Sequence, residues 1–447
     1  MARLFGTDGI RGLANGDVLT PDLALRLAGT AGARLVAQRR AAGTQPYERP
    51  VVVIGRDTRP SGQMLEAAAV AGFTSAGCDV ELLGVVPTPV VAHATAHGEP
   101  SLGLMITASH NPEQDNGLKL FADGGLKLAD EVEDELEAAL AGAWAPAPAP
   151  PGIGRAHPDA APRLVEPYLS SLLASVGSLA GLRVVVDCAN GAARELAPEL
   201  YRRAGATVVA IHTDDQGINR DCGATHPESL AAAVVEHGGD VGIAHDGDAD
   251  RCIVVDASGT VLNGDQVLGL LALARKEAGL AAGDVLVATV MSNLGLHQAM
   301  AAAGIRVVTT AVGDRYVLEE MRAHGYRLGG EQSGHVVLAD YATTGDGLLT
   351  ALQVMDRVVR TGRPVTDLAS AVTLLPQVLV NVTADRQRAA APDVLEAVAR
   401  EEAALAGSGR VLLRPSGTEP LVRVMVEAPT QHEAQALADR LAAVVAG

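Results

Sequence analysis

Aromatic residues are scarce. Phenylalanine, tyrosine and tryptophan together make up 2% of the 447 residues, against 48% hydrophobic residues in all. Ala, Val, Leu and Gly must therefore fill the cores, which suits layered α/β structure better than an aromatic-rich β-sandwich. Cysteine is scarce as well. Cys78, Cys188, Cys222 and Cys252 are scattered with no metal-ligand spacing, which argues against a disulfide framework or a zinc site and for a reducing compartment. Positive charge is in deficit, at a net −18, so a general nucleic-acid surface is not expected. Long apolar runs are missing too. Val267–Ala274, with one Gly inside, falls far short of the roughly 20 residues a membrane span needs. The opening residues Met1–Gly6 carry no apolar signal stretch. The expectation is a soluble, cytoplasmic protein with neither nucleic acid nor membrane as partner. An anionic small molecule stays compatible with the acidic surface. Screening limits distant charges to about 8 Å, so a few nearby Arg and Lys residues can reverse the field locally.

What is present is a pattern that recurs three times. A β-branched run leads into a polar loop, a helix, an Ala-Gly pair and another strand. The copies run from Val51–Ile54 to Ala76-Gly77 and Val80–Leu82, from Val184–Val186 to Ala204-Gly205 and Val208-Val209, and from Val285–Val287 to Ala303-Gly304 and Val307-Val308. Each Gly stands where a helix end calls for a left-handed residue. Each copy reads as a strand–helix–strand unit. The predicted architecture is α/β, with three related α/β domains and a C-terminal α+β domain. The Pro-rich stretch Trp144–Gly154, the turn Asp256–Gly259 and the segment Thr361–Pro364 mark the breaks. The domains are expected at 1–153, 154–255, 256–368 and 369–447. The last should hold strand Gln377–Val382, helix Pro392–Leu405, strands near Val411–Leu413 and Leu421–Val426, and helix Gln431–Ala443.

Chemistry concentrates in a few loops. Thr107-Ala108-Ser109-His110-Asn111-Pro112 follows the apolar run Leu102–Ile106, placing Ser109 at the carboxyl end of a strand, where open α/β sheets bind ligands. In isolation such a serine more often caps a helix or turn. Asp246-Gly247-Asp248-Ala249-Asp250-Arg251 is more specific. Its carboxylates at i, i+2 and i+4 fall on one face of an extended backbone, and a bound cation offsets their repulsion. All-oxygen ligands select Mg²⁺ or Ca²⁺. An EF-hand loop would need Gly and Glu where Arg251 and Ala257 stand. Arg414-Pro415-Ser416-Gly417-Thr418-Glu419-Pro420, with Arg423 one strand away, can clamp a phosphate, although a plain hairpin turn would look similar. Gly329–His335 gathers Glu331, Ser333 and His335 within a glycine-flanked loop suited to polyol recognition, or to a simple polar surface. Phe5–Gly12 sets glycines around Arg11. Lys119 is a candidate acid–base group provided that desolvation and neighbouring cations lower its pKa.

Taken in order along the whole chain, TASHNP at 107–112, DGDADR at 246–251, GEQSGH at 330–335 and RPSGTEP at 414–420 resemble the motifs of the α-D-phosphohexomutase superfamily. FGTDGIRG at the start, Ala108 before the serine and Gln332 in the third loop are similar to the bacterial phosphoglucosamine mutase family. Glu113-Gln114 departs from it, since relatives often carry aromatics there. The resemblance implies four domains around a central cleft and a phosphoryl transfer between two hydroxyls of one hexosamine, upstream of UDP-N-acetylglucosamine and the cell wall. It implies a phosphorylated Ser109, and one Mg²⁺ per subunit held by Asp246, Asp248, Asp250 and the phosphate on Ser109. Glu331 and Ser333 would read sugar hydroxyls. Arg414, Ser416, Gly417, Thr418 and Arg423 would grip the non-reacting phosphate. Arg11, His110, Lys119, Arg251 and His335 would stabilise or shuttle charge at the reacting end. The implied partners are a hexosamine phosphate, a glucosamine 1,6-bisphosphate or glucose 1,6-bisphosphate primer, a kinase or bisphosphate donor that charges Ser109, and a second copy in a homodimer. A glucose or mannose phosphate mutase, a serine-phosphoenzyme phosphatase and a catalytically silent sugar-phosphate sensor are the rival readings.

Overall fold

The computed structural model describes residues 3–6, 8–43, 48–142, 152–280, 284–415 and 420–447. Each of the three repeats forms a parallel strand–helix–strand unit. Val51–Arg56 pairs with Asp79–Val85 across helix Gly62–Ala76. Arg183–Asp187 pairs with Thr207–Ile211 across helix Leu196–Arg203. Val285–Thr289 pairs with Arg306–Thr310 across helix Leu294–Ala302. The Ala-Gly signal has its expected cause. Gly77, Gly205 and Gly304 lie at φ +95°, +106° and +66°, a region that side chains other than glycine enter at a cost.

Around these units grow three mixed sheets. In the first, Leu102–Ile106 runs parallel to Val51–Arg56, and antiparallel Asp115–Ala122 and Ile10–Leu13 complete that side. In the second, Val241–Ala244 runs parallel to Arg183–Asp187 and is followed by Ile253–Asp256 and Val261–Leu262. In the third, Leu328–Gly330 and Val336–Leu338 form a hairpin beside Val285–Thr289. The last sheet is antiparallel, with Leu421–Glu427 between Gln377–Thr383 and Arg410–Pro415, and helices Pro392–Leu405 and Gln431–Ala446 pack with it. Three α/β layers and one α+β layer are thus present.

One apolar core runs from Val91 and Met105 through Val184 and Ile243 to Leu286 and Leu352, so the first three units are fused by burial. The fourth has its own core around Val394, Val424 and Leu441. Two expected breaks fall inside packed structure. The turn at Asp256–Gly259 closes a hairpin of the second sheet, because Val261 returns to pair with Val255. Ala369 and Val372 are buried in the same core as Leu268 and Leu296. We therefore place those boundaries a few residues later, near Asn263 and between Val372 and Gln377.

Candidate active site

Ser109 follows strand Leu102–Ile106 on a tight loop and is 1% exposed. Its backbone is left-handed, at φ +53°. Buried partners hold this strain in place. The Ser109 amide donates to Thr107 Oγ1 at 2.9 Å, and that hydroxyl donates to Asp57 Oδ2 at 2.6 Å. Asp57 pairs with fully buried Arg59 at 2.9 Å. Arg59 in turn donates to the carbonyls of Ser109 (2.9 Å), Asn111 (2.8 Å) and Asp115 (2.9 Å), and also to that of Pro112. Asn219 Nδ2 adds a bond of 2.8 Å to the Ser109 carbonyl from the second unit. Glu113, the departure noted above, accepts from the Gly217 amide and from Arg220, each at 2.8 Å. The carboxylate thus ties the Ser109 loop to the second unit.

The aspartate loop comes from the second sheet, just past Val241–Ala244. Asp246, Asp248 and Asp250 converge, with one oxygen from each within 4.8 Å of the others. The route differs from the alternation expected of extended backbone. The Ala249 amide bonds back to the Asp246 carbonyl at 3.0 Å and Ala249 is left-handed, so a turn brings the carboxylates together. Other units secure this turn. Thr88 donates to Asp248 Oδ2 at 2.6 Å, the Gly347 amide to the Ala249 carbonyl at 3.0 Å, and Arg251 forms a β-bridge with His335. Ser109 Oγ donates to Asp246 Oδ2 at 2.6 Å, so nucleophile and carboxylates share one point.

A cleft of about 370 Å³ opens there, lined by Arg11, Ser109, His110, Asp250, Arg251, Glu331 and His335 among others. Its charges are strongly coupled. Burial, then Asp250 and Asp248, push Asp246 up to about 7. Burial raises Asp250 as well, but Lys119 and His335 outweigh it and hold that carboxylate below its usual range. Burial followed by Arg251 and Arg11 pushes His110 down to about 4, leaving a neutral ring 3.4 Å from Ser109 Oγ. For His335, burial is outweighed by Asp250 at 3.6 Å and by Asp314, and the ring rises to about 9. The condition attached to Lys119 is not met. Burial does pull it down, but Asp248 at 2.8 Å, Asp8 at 2.7 Å and Asp250 hold it above the usual lysine range. Its neighbours are chiefly anions rather than cations, so it stands as a fixed positive charge.

The remaining expected residues separate. Glu331 lines the cleft and accepts from the Gly313 amide at 3.1 Å. Ser333 lies on the following turn, its Oγ buried without a hydrogen-bond partner among the described residues. Arg414 and Arg423 sit directly opposite each other in the last sheet, away from the cleft lining. Burial and then Arg423 lower Arg414, and neither guanidinium has a carboxylate partner among the described residues. Ser416, Gly417 and Thr418 lie outside the described residues. Sequence reasoning missed Asp8, Asp57, Arg59, Lys127 and Asp314. Lys127 bridges Asp8 to Asp314, linking the first and third units at the cleft. Asp57 and Arg59 carried a signal: Asp-Thr-Arg-Pro-Ser-Gly directly follows the first repeat's leading strand, at the sheet end where Ser109 also lies.

Comparison with known proteins bears on the same four units. Models of phosphoglucomutase/phosphomannomutase alpha/beta/alpha domains I, II and III match residues 2–144, 166–259 and 263–374, and the C-terminal domain model matches 379–444. Phosphoglucosamine mutase from Frankia alni is 58% identical over 450 residues, covering 100% of this chain and 98% of the relative. That of Rhodococcus jostii is 58% identical over 453 residues, covering 100% of both. A phosphoglucomutase/phosphomannomutase family protein from Burkholderia thailandensis superimposes with a TM-score of 0.81 at 25% identity, over 99% of this chain and 97% of that one. Aspergillus fumigatus N-acetylphosphoglucosamine mutase, solved with GlcNAc-6P and magnesium, shares the fold at a TM-score of 0.63 and 18% identity, over 99% and 95% of the chains. With all four domains matched in order and most residues shared with full-length relatives, the chain belongs to the phosphoglucomutase/phosphomannomutase family, on its phosphoglucosamine mutase branch.

Proposed function

We propose that the chain interconverts glucosamine 6-phosphate and glucosamine 1-phosphate through a phosphorylated Ser109 and a 1,6-bisphosphate. The observation that carries this reading is Ser109 Oγ on the cleft wall, 2.6 Å from a carboxylate of the convergent aspartate cluster. The free hydroxyl of the bound monophosphate attacks the phosphorus on Ser109. The bond from phosphorus to Oγ breaks, the sugar hydroxyl gives up its proton, and Ser109 takes one. After the bisphosphate turns over within the cleft, Ser109 Oγ attacks the other phosphate and releases the isomeric monophosphate. Phosphate is neither gained nor lost. An enzyme that has lost its phosphoryl group needs a bisphosphate primer.

Asp246, Asp248 and Asp250 fit Mg²⁺. All three donors are hard oxygens, and the buried Asp248 Oδ1 and Asp250 Oδ1 accept no hydrogen bond among the described residues. When bound, the ion would neutralise charge on the phosphoryl oxygens. Around it, Arg11, Lys119, Arg251 and the charged ring of His335 hold positive charge where the transferring group becomes most anionic. Glu331 offers a carboxylate to sugar hydroxyls. Arg414 and Arg423, two like charges facing across a strand pair with no carboxylate partner among the described residues, suit the phosphate that is not reacting. The separate core of the fourth unit lets it close over the cleft and keep water from phosphoserine.

The test is incubation with glucosamine 6-phosphate, Mg²⁺ and bisphosphate primer, with glucosamine 1-phosphate and free phosphate both measured, and rates on glucose and mannose phosphates compared. Glucosamine 1-phosphate should accumulate with little free phosphate, and the hexosamine should be the preferred sugar. Free phosphate as the main product would replace the mutase reading with a phosphatase.

A further inference from the structure

A second group of metal-ligating side chains lies behind the aspartate loop, in the second unit. Asp187 ends strand Arg183–Asp187, His212 follows the neighbouring strand Thr207–Ile211, and Cys222 precedes a short turn of helix at Gly223–Thr225. A carboxylate oxygen, an imidazole nitrogen and the thiol sulfur from these three lie within 4.8 Å of one another. We propose that Asp187, His212 and Cys222 bind a borderline divalent cation of the Zn²⁺ class, at a site distinct from Asp246, Asp248 and Asp250.

Three observations carry this. His212 Nδ1 lies 3.0 Å from Asp187 Oδ2, and that pairing holds the imidazole above its ordinary pKa, yet the contact is not a regular hydrogen bond and the buried nitrogen makes none elsewhere among the described residues. Asp187 Oδ2 accepts the Gly223 amide at 2.9 Å and turns its second lone pair toward His212, while Oδ1 is held by the Ala189 amide at 2.8 Å. Cys222 Sγ is fully buried and makes no hydrogen bond among the described residues. Three donors thus point at one place with spare capacity. An ion about 2.0–2.3 Å from each needs only small side-chain adjustment, and a water can supply the fourth ligand.

Donor chemistry separates the two sites. The aspartate cluster offers oxygen alone and favours a hard ion, whereas oxygen, nitrogen and sulfur together favour a softer one. Burial, followed by Asp187 and Asp221, pushes the Cys222 thiol up to about 12, so the metal-free site holds S–H. Binding breaks that bond and forms sulfur–metal, and the thiol proton leaves to water together with any proton that the ligating His212 nitrogen shares with Asp187, with no change of oxidation state. Linear spacing hid the site, because it assembles from two adjacent strand ends and a later loop. The loop is also the one that braces the nucleophile: Asn219 bonds the Ala189 carbonyl at 2.9 Å and the Ser109 carbonyl at 2.8 Å. An ion joining Asp187 to Cys222 would stiffen that support.

The test is a Co²⁺ titration of the full-length protein in excess Mg²⁺, read by near-ultraviolet thiolate-to-cobalt absorption, with Zn²⁺ as competitor. Absorption should saturate at one equivalent, disappear on Zn²⁺ addition and be missing in Cys222→Ser. His212→Asn, which tolerates the left-handed backbone found at His212, should weaken Co²⁺ binding by about tenfold or more. No such absorption in the wild type, or absorption that persists in Cys222→Ser, would overturn the proposal. Neither readout depends on turnover, so failure here would leave the mutase reading intact.

Discussion

Ser109 sits in a backbone region that costs about 1–3 kcal/mol, and Arg59 is the residue that keeps it there. Fully buried, Arg59 answers Asp57 and binds the carbonyls of Ser109, Asn111, Pro112 and Asp115. Arg59→Met would keep the bulk and strand both the carboxylate and the carbonyls. Loss of one partner of a buried pair costs about 3–5 kcal/mol, so urea unfolding should show a fall of that order. Turnover should fall further than stability explains, because the Ser109 loop relaxes. A second residue-scale prediction concerns pH. His335 titrates near 9 in the fold and near 6.5 when unfolded. Its contribution is therefore complete below about 6.5 and fades as pH rises through 9. In chelator-treated protein it amounts to something on the order of 3 kcal/mol. Unfolding measured from pH 6 to 10 should show this loss in the wild type and much less of it in His335→Gln. The three motif loops that meet at the cleft were legible because each packs several chemical groups into six residues. Arg59, Asp8 and Lys127 were not, since a lone charged residue announces nothing until the fold brings it to its partner.

At the scale of elements, strand ends organise the site. Leu102–Ile106 and Val241–Ala244 each lead directly to a reactive loop, and Leu328–Gly330 opens the third. Of these only Leu102–Ile106 was readable, as the apolar run before Ser109; the β-branched runs and Ala-Gly pairs marked their neighbours Val51–Arg56, Arg183–Asp187 and Val285–Thr289 instead. The last unit was readable almost residue for residue, with helix Pro392–Leu405 as expected and strand Gln377–Thr383 one residue longer. The turn that gathers the three aspartates was not readable, because alternation along a strand predicts the same convergence. Nor was the register that sets Arg414 against Arg423, since a two-residue slip keeps the same side chains on the same faces. Like charges placed directly opposite destabilise a sheet. Arg414→Ala should therefore leave the free protein as stable as before or slightly more so. The same change should weaken binding of both monophosphates about tenfold or more, since a charge-assisted bond contributes about 1.5–3 kcal/mol. It should also let bisphosphate escape, so that added bisphosphate is needed to sustain turnover. Unchanged affinity for both monophosphates with no leakage would reduce the loop to a turn.

At the scale of the whole molecule, three units share one core and the fourth has its own. The rigid part holds Ser109, the aspartates and the cationic ring around them. The fourth unit is tied to it among the described residues by bonds such as Arg410 to the Ser292 carbonyl and the Leu294 amide to Glu427 Oε2 at 2.8 Å. That division suits a cycle in which one ligand must be held, released enough to turn, and held again. The central claim is that phosphate passes from Ser109 to the sugar and back without meeting water. It is tested most directly by charging Ser109 with labelled phosphate and mixing the enzyme with unlabelled glucosamine 6-phosphate in a single turnover. Label should leave the protein for the bisphosphate and the monophosphate pool in step with its loss from Ser109, and Ser109→Ala should take up none. Label released as free phosphate, or a Ser109→Ala protein that turns over normally, would contradict the account.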